Sequence, residues 1–226
     1  MNRSVSVVGI GRVGLPLALH LARNGFQVYG IDKSKSLVET LRQGRMPFLE
    51  EQGEAFLQCT LGKTFFPTAE PSCIAETDDI IITLGTPVDE NFNPVFTLLE
   101  QAIASLLPFL RANHLLVLRS TVAPGTTLRL GRYLDRNSSL QTGRDIYLAF
   151  CPERIAEGKS LLEIPEIPQI IGGLDSQSTQ RAAELFQSVT AKVLLTDATS
   201  AELAKLFCNM YRYIDFAIGK DRKSTV

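Results

Sequence analysis

Long hydrophobic runs are missing from this 226-residue sequence. The longest apolar stretches, such as "DIIITLG" and "HLLVLR", are strand-length and far too short to span a bilayer. The N-terminus, "MNRSVSVVGIG", enters a strand pattern directly, with no signal-peptide apolar region. Histidine is scarce, with two in the chain. The four cysteines, Cys59, Cys73, Cys151 and Cys208, are widely spaced and form no C-x-x-C. A metal site is therefore not expected, and reduced thiols in a cytoplasmic protein are the simplest reading. An excess of one charge is also missing. The net charge is -1, with no basic block or stripe. That argues against nucleic acid or a membrane surface as the main partner. Internal repeats, low-complexity segments and long linkers are absent.

What is present is an ordinary globular composition, 45% hydrophobic and 21% charged. Short apolar runs alternate with helical periodicity. "SVSVVGI" reads as a strand and "GLPLALHLARNG" as a helix stopped by Gly25. "FQVYGID" is a second strand, and "SKSLVETLRQG" a second helix. "ETDDIIITLG", "HLLVLRST", "DIYLAFCPE" and "AKVLLT" read as further strands, while "PQIIGG", after Gly158, is given no element. "FTLLEQAIASLLPFLRA", "GTTLRLGRYLDRN" and "SQSTQRAAELFQSV" read as helices between them. The stretch 44–66 gives no clear element. The alternation predicts an α/β, Rossmann-type, doubly wound and mostly parallel sheet with helices on both faces.

"VVGIGRVGLPLA" contains Gly9, Gly11 and Gly14 in the spacing G-x-G-x-x-G, after a strand and opening a helix. The first glycine suits a tight turn, the second lets a pyrophosphate approach the backbone, and the third lets helix and strand pack closely. Arg12 and Val13 lie inside this loop. The helix N-terminus offers N–H groups and partial positive charge to phosphates. Asp32 ends the second strand. A carboxylate there accepts from the adenosine ribose hydroxyls and repels a 2′-phosphate, so NAD is favoured over NADP. Lys33 and Lys35, which follow it, soften that preference.

Three later stretches follow strand ends, where sites form in such sheets. They are "LGTPVDE" (84–90), "RSTVAPGTT" (119–127) and "CPERIAEGK" (151–159). Each also has a plain structural reading. Pro87 can mark a turn, Thr121 a strand end, Gly125 with Thr126 a helix start, and Glu153 with Arg154 a surface ion pair. The segment from Ser200 to Lys220 reads as a helix with a broad apolar face. Lys205 and Asn209 lie one turn apart on it. Lys205 also reads plainly, as a lysine snorkelling from an apolar helix.

Taken in this order over residues 3–218, the motifs resemble the UDP-sugar 6-dehydrogenase family, which includes UDP-glucose and UDP-N-acetylmannosamine dehydrogenases. "CPER" and "NMYRY" look closer to the N-acetylhexosamine branch. The resemblance implies NAD-dependent oxidation of a UDP-sugar C6 hydroxyl to the carboxylate. It implies that Gly9, Gly11, Arg12, Val13, Gly14, Asp32, Thr86, Pro87, Ser120, Thr121 and Glu157 contact NAD. Thr121, Glu153, Glu157, Lys205 and Asn209 fall at catalytic positions. Glu153 resembles an acid/base that works through an ordered water, and Lys205 with Asn209 the pair that holds the C6 oxygen. The resemblance also implies a homo-oligomer through the last helix.

The family's nucleophilic cysteine, in a G-x-G-G-x-C loop, has no counterpart here. The expected organisation is an NAD-binding domain over 1–198 and the start of a connecting helix over 199–226, with the UDP-binding domain absent. Such a truncated chain is expected to be inactive alone, with all four cysteines structural. Leu37 stands where the family often has a basic residue. A non-catalytic NAD-binding fragment or regulatory remnant stays open as a reading of the chain. So does another NAD-linked dehydrogenase, of the 6-phosphogluconate or 3-hydroxyacyl-CoA type.

Overall fold

The computed structural model describes residues 3–85, 90, 95–155 and 158–221. Strand and helix alternate from the start: β1 (Ser4–Val8), α1 (Gly14–Arg23), β2 (Gln27–Ile31), α2 (Lys35–Arg42), α3 (Gly53–Thr60), β3 (Phe65–Thr68) and β4 (Asp79–Ile82). The second half continues with α4 (Phe96–Leu106), β5 (Leu115–Leu118), α5 (Thr126–Asn137), β6 (Tyr147–Phe150), α6 (Ser160–Glu163), β7 (Gln169–Gly173), α7 (Ser176–Gln187), β8 (Val193–Asp197) and α8 (Ala198–Asp221).

One eight-stranded sheet results, in the order β3-β2-β1-β4-β5-β6-β7-β8. Every residue of β4, β5 and β6 is buried. Strands buried on both faces need helices on both sides, which parallel crossovers supply. One face packs Val5, Val7, Ile81, Val117 and Ala149 beneath α1 and α7. The other packs Ile80, Ile82, Leu116, Leu118 and Phe150 beneath α4 and α5. β1 to β6 run parallel. β7 reverses against β6, and β8 runs with β7. Glycines set this corner. A Cβ on Gly172 would fall 2.3 Å from the Asp197 carbonyl oxygen, and one on Gly173 would fall 2.4 Å from the Thr179 nitrogen. Bare backbone is what lets α7 and α8 press onto the sheet.

From β1 the chain winds one way through β2 and β3, then returns to lay β4 on the other side of β1. That reversal opens a crevice at the carboxyl ends of β1 and β4, where open α/β sheets bind ligands.

Three local outcomes differ from the sequence reading or complete it. The stretch 44–66 holds α3 and the start of β3. β3, "FFPT", is a short edge strand whose Pro67 lacks an N–H. The Arg42 guanidinium donates to the Pro67 carbonyl at 3.1 Å, and the Gly62 N–H donates to Phe65 O at 3.0 Å, so the edge is closed to further pairing. The helix expected over 96–112 ends at Leu106, because Pro108 turns the chain into a 3₁₀ turn at Leu107–Phe109. The last helix begins at Ala198, with Ala198, Ala201 and Glu202 buried and Phe207, Met210, Tyr211 and Phe216 exposed.

Candidate functional site

Three glycines shape the turn between β1 and α1, each differently. Gly9 has φ +92°, the left-handed region that other residues avoid. A Cβ on Gly14 would lie 2.0 Å from the Gly9 carbonyl oxygen. A Cβ on Gly11 would meet nothing within 4 Å. The first and third glycines therefore let the chain close on itself, while the second faces open space. That is the cradle a pyrophosphate needs. The Thr83 hydroxyl, just past β4, donates to the Gly9 carbonyl and braces the turn. The Arg12 guanidinium lies over the Phe48 ring, 5.4 Å from its centroid. Val13 sits at the N-cap of α1.

Asp32 follows β2 and is half-buried. One carboxylate oxygen accepts the Ile10 N–H at 3.1 Å, and the other accepts the Ser34 N–H at 2.9 Å. The side chain thus reaches the glycine turn. Each carboxylate oxygen keeps a free lone pair for a ribose hydroxyl. The residues present fit a dinucleotide.

Arg119 closes β5 and is 3% exposed. Its guanidinium donates to Glu153 Oε2 at 2.5 Å, to Gln169 Oε1 at 3.0 Å and to the Cys151 carbonyl at 3.3 Å. The other Glu153 oxygen accepts the N–H groups of Arg154 and Ile155 at 2.5 and 2.7 Å. Glu153 therefore pairs in the interior with Arg119, not at the surface with Arg154. The Arg154 side chain turns instead to the Pro168 carbonyl. Glu153 Oε2 has lone-pair capacity beyond Arg119, which is where a water would attach.

Lys205 comes to this loop from α8, its ammonium donating to the Glu153 carbonyl oxygen. Burial pulls the ammonium below its ordinary pKa, and the Glu153 charge partly offsets that pull. Asn209 lies one turn further along the same face. Arg212, a further turn on, donates to the Arg154 carbonyl at 3.4 Å. Lys205 thus meets the Glu153 backbone, and only the helical spacing on α8 brings Asn209 near it. Ser120 and Thr121 sit half-buried in the loop after β5. Thr86, Pro87 and Glu157 lie outside the described residues.

Glu202 is buried with 0% exposure, and sequence reasoning passed over it. It accepts from Gly125 N at 2.6 Å, Thr127 N at 2.8 Å and Thr127 Oγ1 at 2.6 Å. A carboxylate three residues before Lys205 looks, in sequence, like an ordinary i,i+3 ion pair. The two side chains instead reach different loops. Arg119 was passed over too. Its signal was an arginine ending the apolar run "LLVL", where a charge cannot be buried without a partner.

Cys151 is wholly buried, and burial pushes its thiol up to about 12. Cys73 is pushed up to about 11 for the same reason. Neither is a ready thiolate. Among the described residues no cluster suits a metal ion, and no helix is long and apolar enough to cross a membrane. A cavity of 440 Å³ opens at the β3 edge between Tyr29, Arg42, Phe66 and Cys73. It is lined by none of the glycine-turn residues.

The chain matches the model of the UDP-glucose/GDP-mannose dehydrogenase family, NAD-binding domain, over residues 3–190. It is 33% identical over 225 residues to a UDP-N-acetyl-D-mannosamine dehydrogenase of Methanococcus maripaludis, covering 97% of this chain and 50% of that protein. It is 34% identical to an NDP-N-acetyl-D-galactosaminuronic acid dehydrogenase of Ralstonia solanacearum, with 97% and 53% covered. The solved UDP-D-ManNAc dehydrogenase of Pyrococcus horikoshii superposes with a TM-score of 0.92 at 29% identity, over 96% of this chain and 52% of that one. The chain spans about half the length of the curated relatives it matches.

Proposed function

The chain belongs to the UDP-glucose/GDP-mannose dehydrogenase family, and from that membership we propose that it is the NAD-binding half of an enzyme that oxidises the C6 hydroxyl of a UDP-sugar to the carboxylate. A UDP-N-acetylhexosamine is favoured over UDP-glucose, since relatives named for N-acetylated sugars match almost the whole chain. NAD, when bound, supplies the hydride acceptor. Gly9, Gly11 and Gly14 cradle its pyrophosphate, with Arg12 and Val13 in the same turn. Asp32 takes the adenosine ribose, and Ser120 and Thr121 line the nicotinamide half. Thr86, Pro87 and Glu157 belong to the same proposed cofactor set.

One observation carries the reading. The Lys205 ammonium meets the Glu153 loop at the carboxyl end of β6, two strands from the glycine crevice. Lys205 and Asn209 donate to the C6 oxygen and stabilise the negative charge that grows on it as hydride leaves. Burial, which lowers the lysine's pKa, also eases proton exchange between Lys205 and that oxygen. Glu153, through a water held at Oε2, and Glu157 complete the proposed catalytic set. Oxidation of the aldehyde to the acid needs the carbonyl made tetrahedral first, which in covalent catalysis a thiolate does. Burial makes Cys151 and Cys73 poor thiolates. Cys59 and Cys208 are exposed, and neither lies in the glycine-rich context of a G-x-G-G-x-C loop.

The test is NADH formation from UDP-N-acetylmannosamine, UDP-N-acetylgalactosamine and UDP-glucose. The 226-residue chain is assayed alone and with the C-terminal half of a relative added as a second chain. The expected result is no UDP-uronic acid from the chain alone, and turnover with the added half that Lys205→Ala abolishes. Turnover by the chain alone, unchanged in Lys205→Ala, contradicts the proposal.

A further inference from the structure

We propose that Glu202 is a positioning residue for the cofactor. It fixes the loop 120–125 at the nicotinamide half of the crevice, acting through the N-terminus of α5, and this rests on the dinucleotide reading given above.

The first N–H groups of any α-helix lack partners within the helix. A Ser, Thr, Asp or Asn side chain at the N-cap is the preferred way to supply one, as Ser34 does for α2 and Asp175 for α7. α5 has Gly125 at that position, with φ +86° and no side chain to give. Glu202 supplies the missing acceptor from another element. It takes the N-cap N–H of Gly125, the second helical N–H of Thr127 and the Thr127 hydroxyl. Three short bonds to a fully buried carboxylate, facing the positive end of a helix, make a strong and directional joint.

That joint pins one end of a short loop. The other end is Arg119, whose backbone extends the sheet through Arg119 N to Ile82 O and Glu153 N to Arg119 O. Its guanidinium is locked to Glu153 and Gln169. Between these pins lie residues 120–124, Ser120 and Thr121 among them. Only the Glu202 pin comes from α8, the helix that carries Lys205 one turn later. One rigid helix therefore sets both the cofactor loop and the Lys205 face.

Topology says which part of the cofactor this loop serves. The glycine turn and Asp32 lie on the β1–β2 side of the reversal and take the adenosine half. The loop after β5 lies on the other side, with the second mononucleotide. Loss of the Glu202 joint should fall on the nicotinamide half and spare the adenosine half. A residue that merely stabilised the fold would weaken both in step or neither.

The test is calorimetric titration of the 226-residue chain and of Glu202→Gln with NAD and, separately, with AMP. Glutamine keeps the shape but turns one acceptor into a donor that faces N–H groups. The expected result is a rise of about tenfold in the ratio of the NAD Kd to the AMP Kd, the loss of one charged hydrogen bond. AMP affinity should stay within about twofold. An unchanged ratio in folded Glu202→Gln overturns the inference, and so does equal weakening of both ligands. Should Glu202→Gln not fold, Thr127→Ala decides. It removes only the hydroxyl donor and must raise the ratio in the same direction, a flat ratio overturning the inference. A native chain that binds neither ligand overturns the dinucleotide reading and this inference with it. Native binding of NAD with a flat variant ratio overturns this inference alone.

Discussion

Arg119, at the end of β5, and Glu153, at the end of β6, form an interior ion pair with Nη2 and Oε2 2.5 Å apart. Their side chains are 3% and 9% exposed. Removing one partner of such a pair leaves a charge without water or counter-charge, whereas removing both does not. Arg119→Met or Glu153→Gln alone should lower unfolding free energy by about 3 kcal/mol. The double variant should lose clearly less than the sum. Urea unfolding of the four proteins gives the answer, and additive losses would mean the two groups do not act as a pair.

Gly11 and Gly14 should separate folding from binding. Gly11→Ala adds a methyl group in open space, so thermal stability should hardly change while dinucleotide affinity falls. Gly14→Ala drives a Cβ onto the Gly9 carbonyl, 2.0 Å away, so the chain should be destabilised by at least about 2 kcal/mol. Melting curves and an NAD titration on each variant suffice. Similar melting temperatures for both would contradict the packing described at the turn.

These two positions also show how far the sequence could be read. The glycine spacing and Asp32 are local signals, because one backbone turn needs those residues in that order. The sheet class was equally legible, since β4, β5 and β6 are apolar at every position or nearly so. β3 was not, because a four-residue strand containing Pro67 has neither the length nor the period of a strand. Glu202 and Arg119 were not legible for a different reason. Their partners lie 75 to 77 and 34 to 50 residues away along the chain, and no local pattern encodes such a meeting.

His114 should make stability fall in mild acid. It is fully buried, and its Nδ1 accepts the Arg111 N–H at 3.1 Å. Burial first, and the Arg111 charge second, bring the imidazole from 6.5 down to about 4. Between these values the unfolded chain binds a proton that the folded chain refuses. This contribution to stability is complete above about pH 6.5 and is lost progressively as pH falls toward 4. His114→Asn, which keeps an acceptor near Arg111, should flatten the decline in urea midpoint across that window. An equally steep decline in the variant would assign the effect to other groups.

The far part of α8 should make the chain associate. Phe207, Tyr211, Ile214 and Phe216 are 59%, 73%, 51% and 63% exposed on one continuous helix. An apolar surface of that kind favours contact with another surface over contact with water. Light scattering should report dimers or larger species at micromolar concentration, and Phe207→Ser with Ile214→Ser should shift the population toward monomer. A clean monomer in the unaltered chain would contradict this.

The most direct test of the account is a parallel calorimetric titration of the purified chain with NAD and NADP. Asp32 ties its carboxylate to the glycine turn through Ile10 N and still offers lone pairs outward. It should accept from the adenosine ribose hydroxyls of NAD. Against NADP it loses those bonds and faces a phosphate dianion. The predicted result is one NAD site, with NADP weaker by about 2 kcal/mol or more. Equal affinities, or no NAD binding at all, would contradict the claim that this crevice is built for NAD.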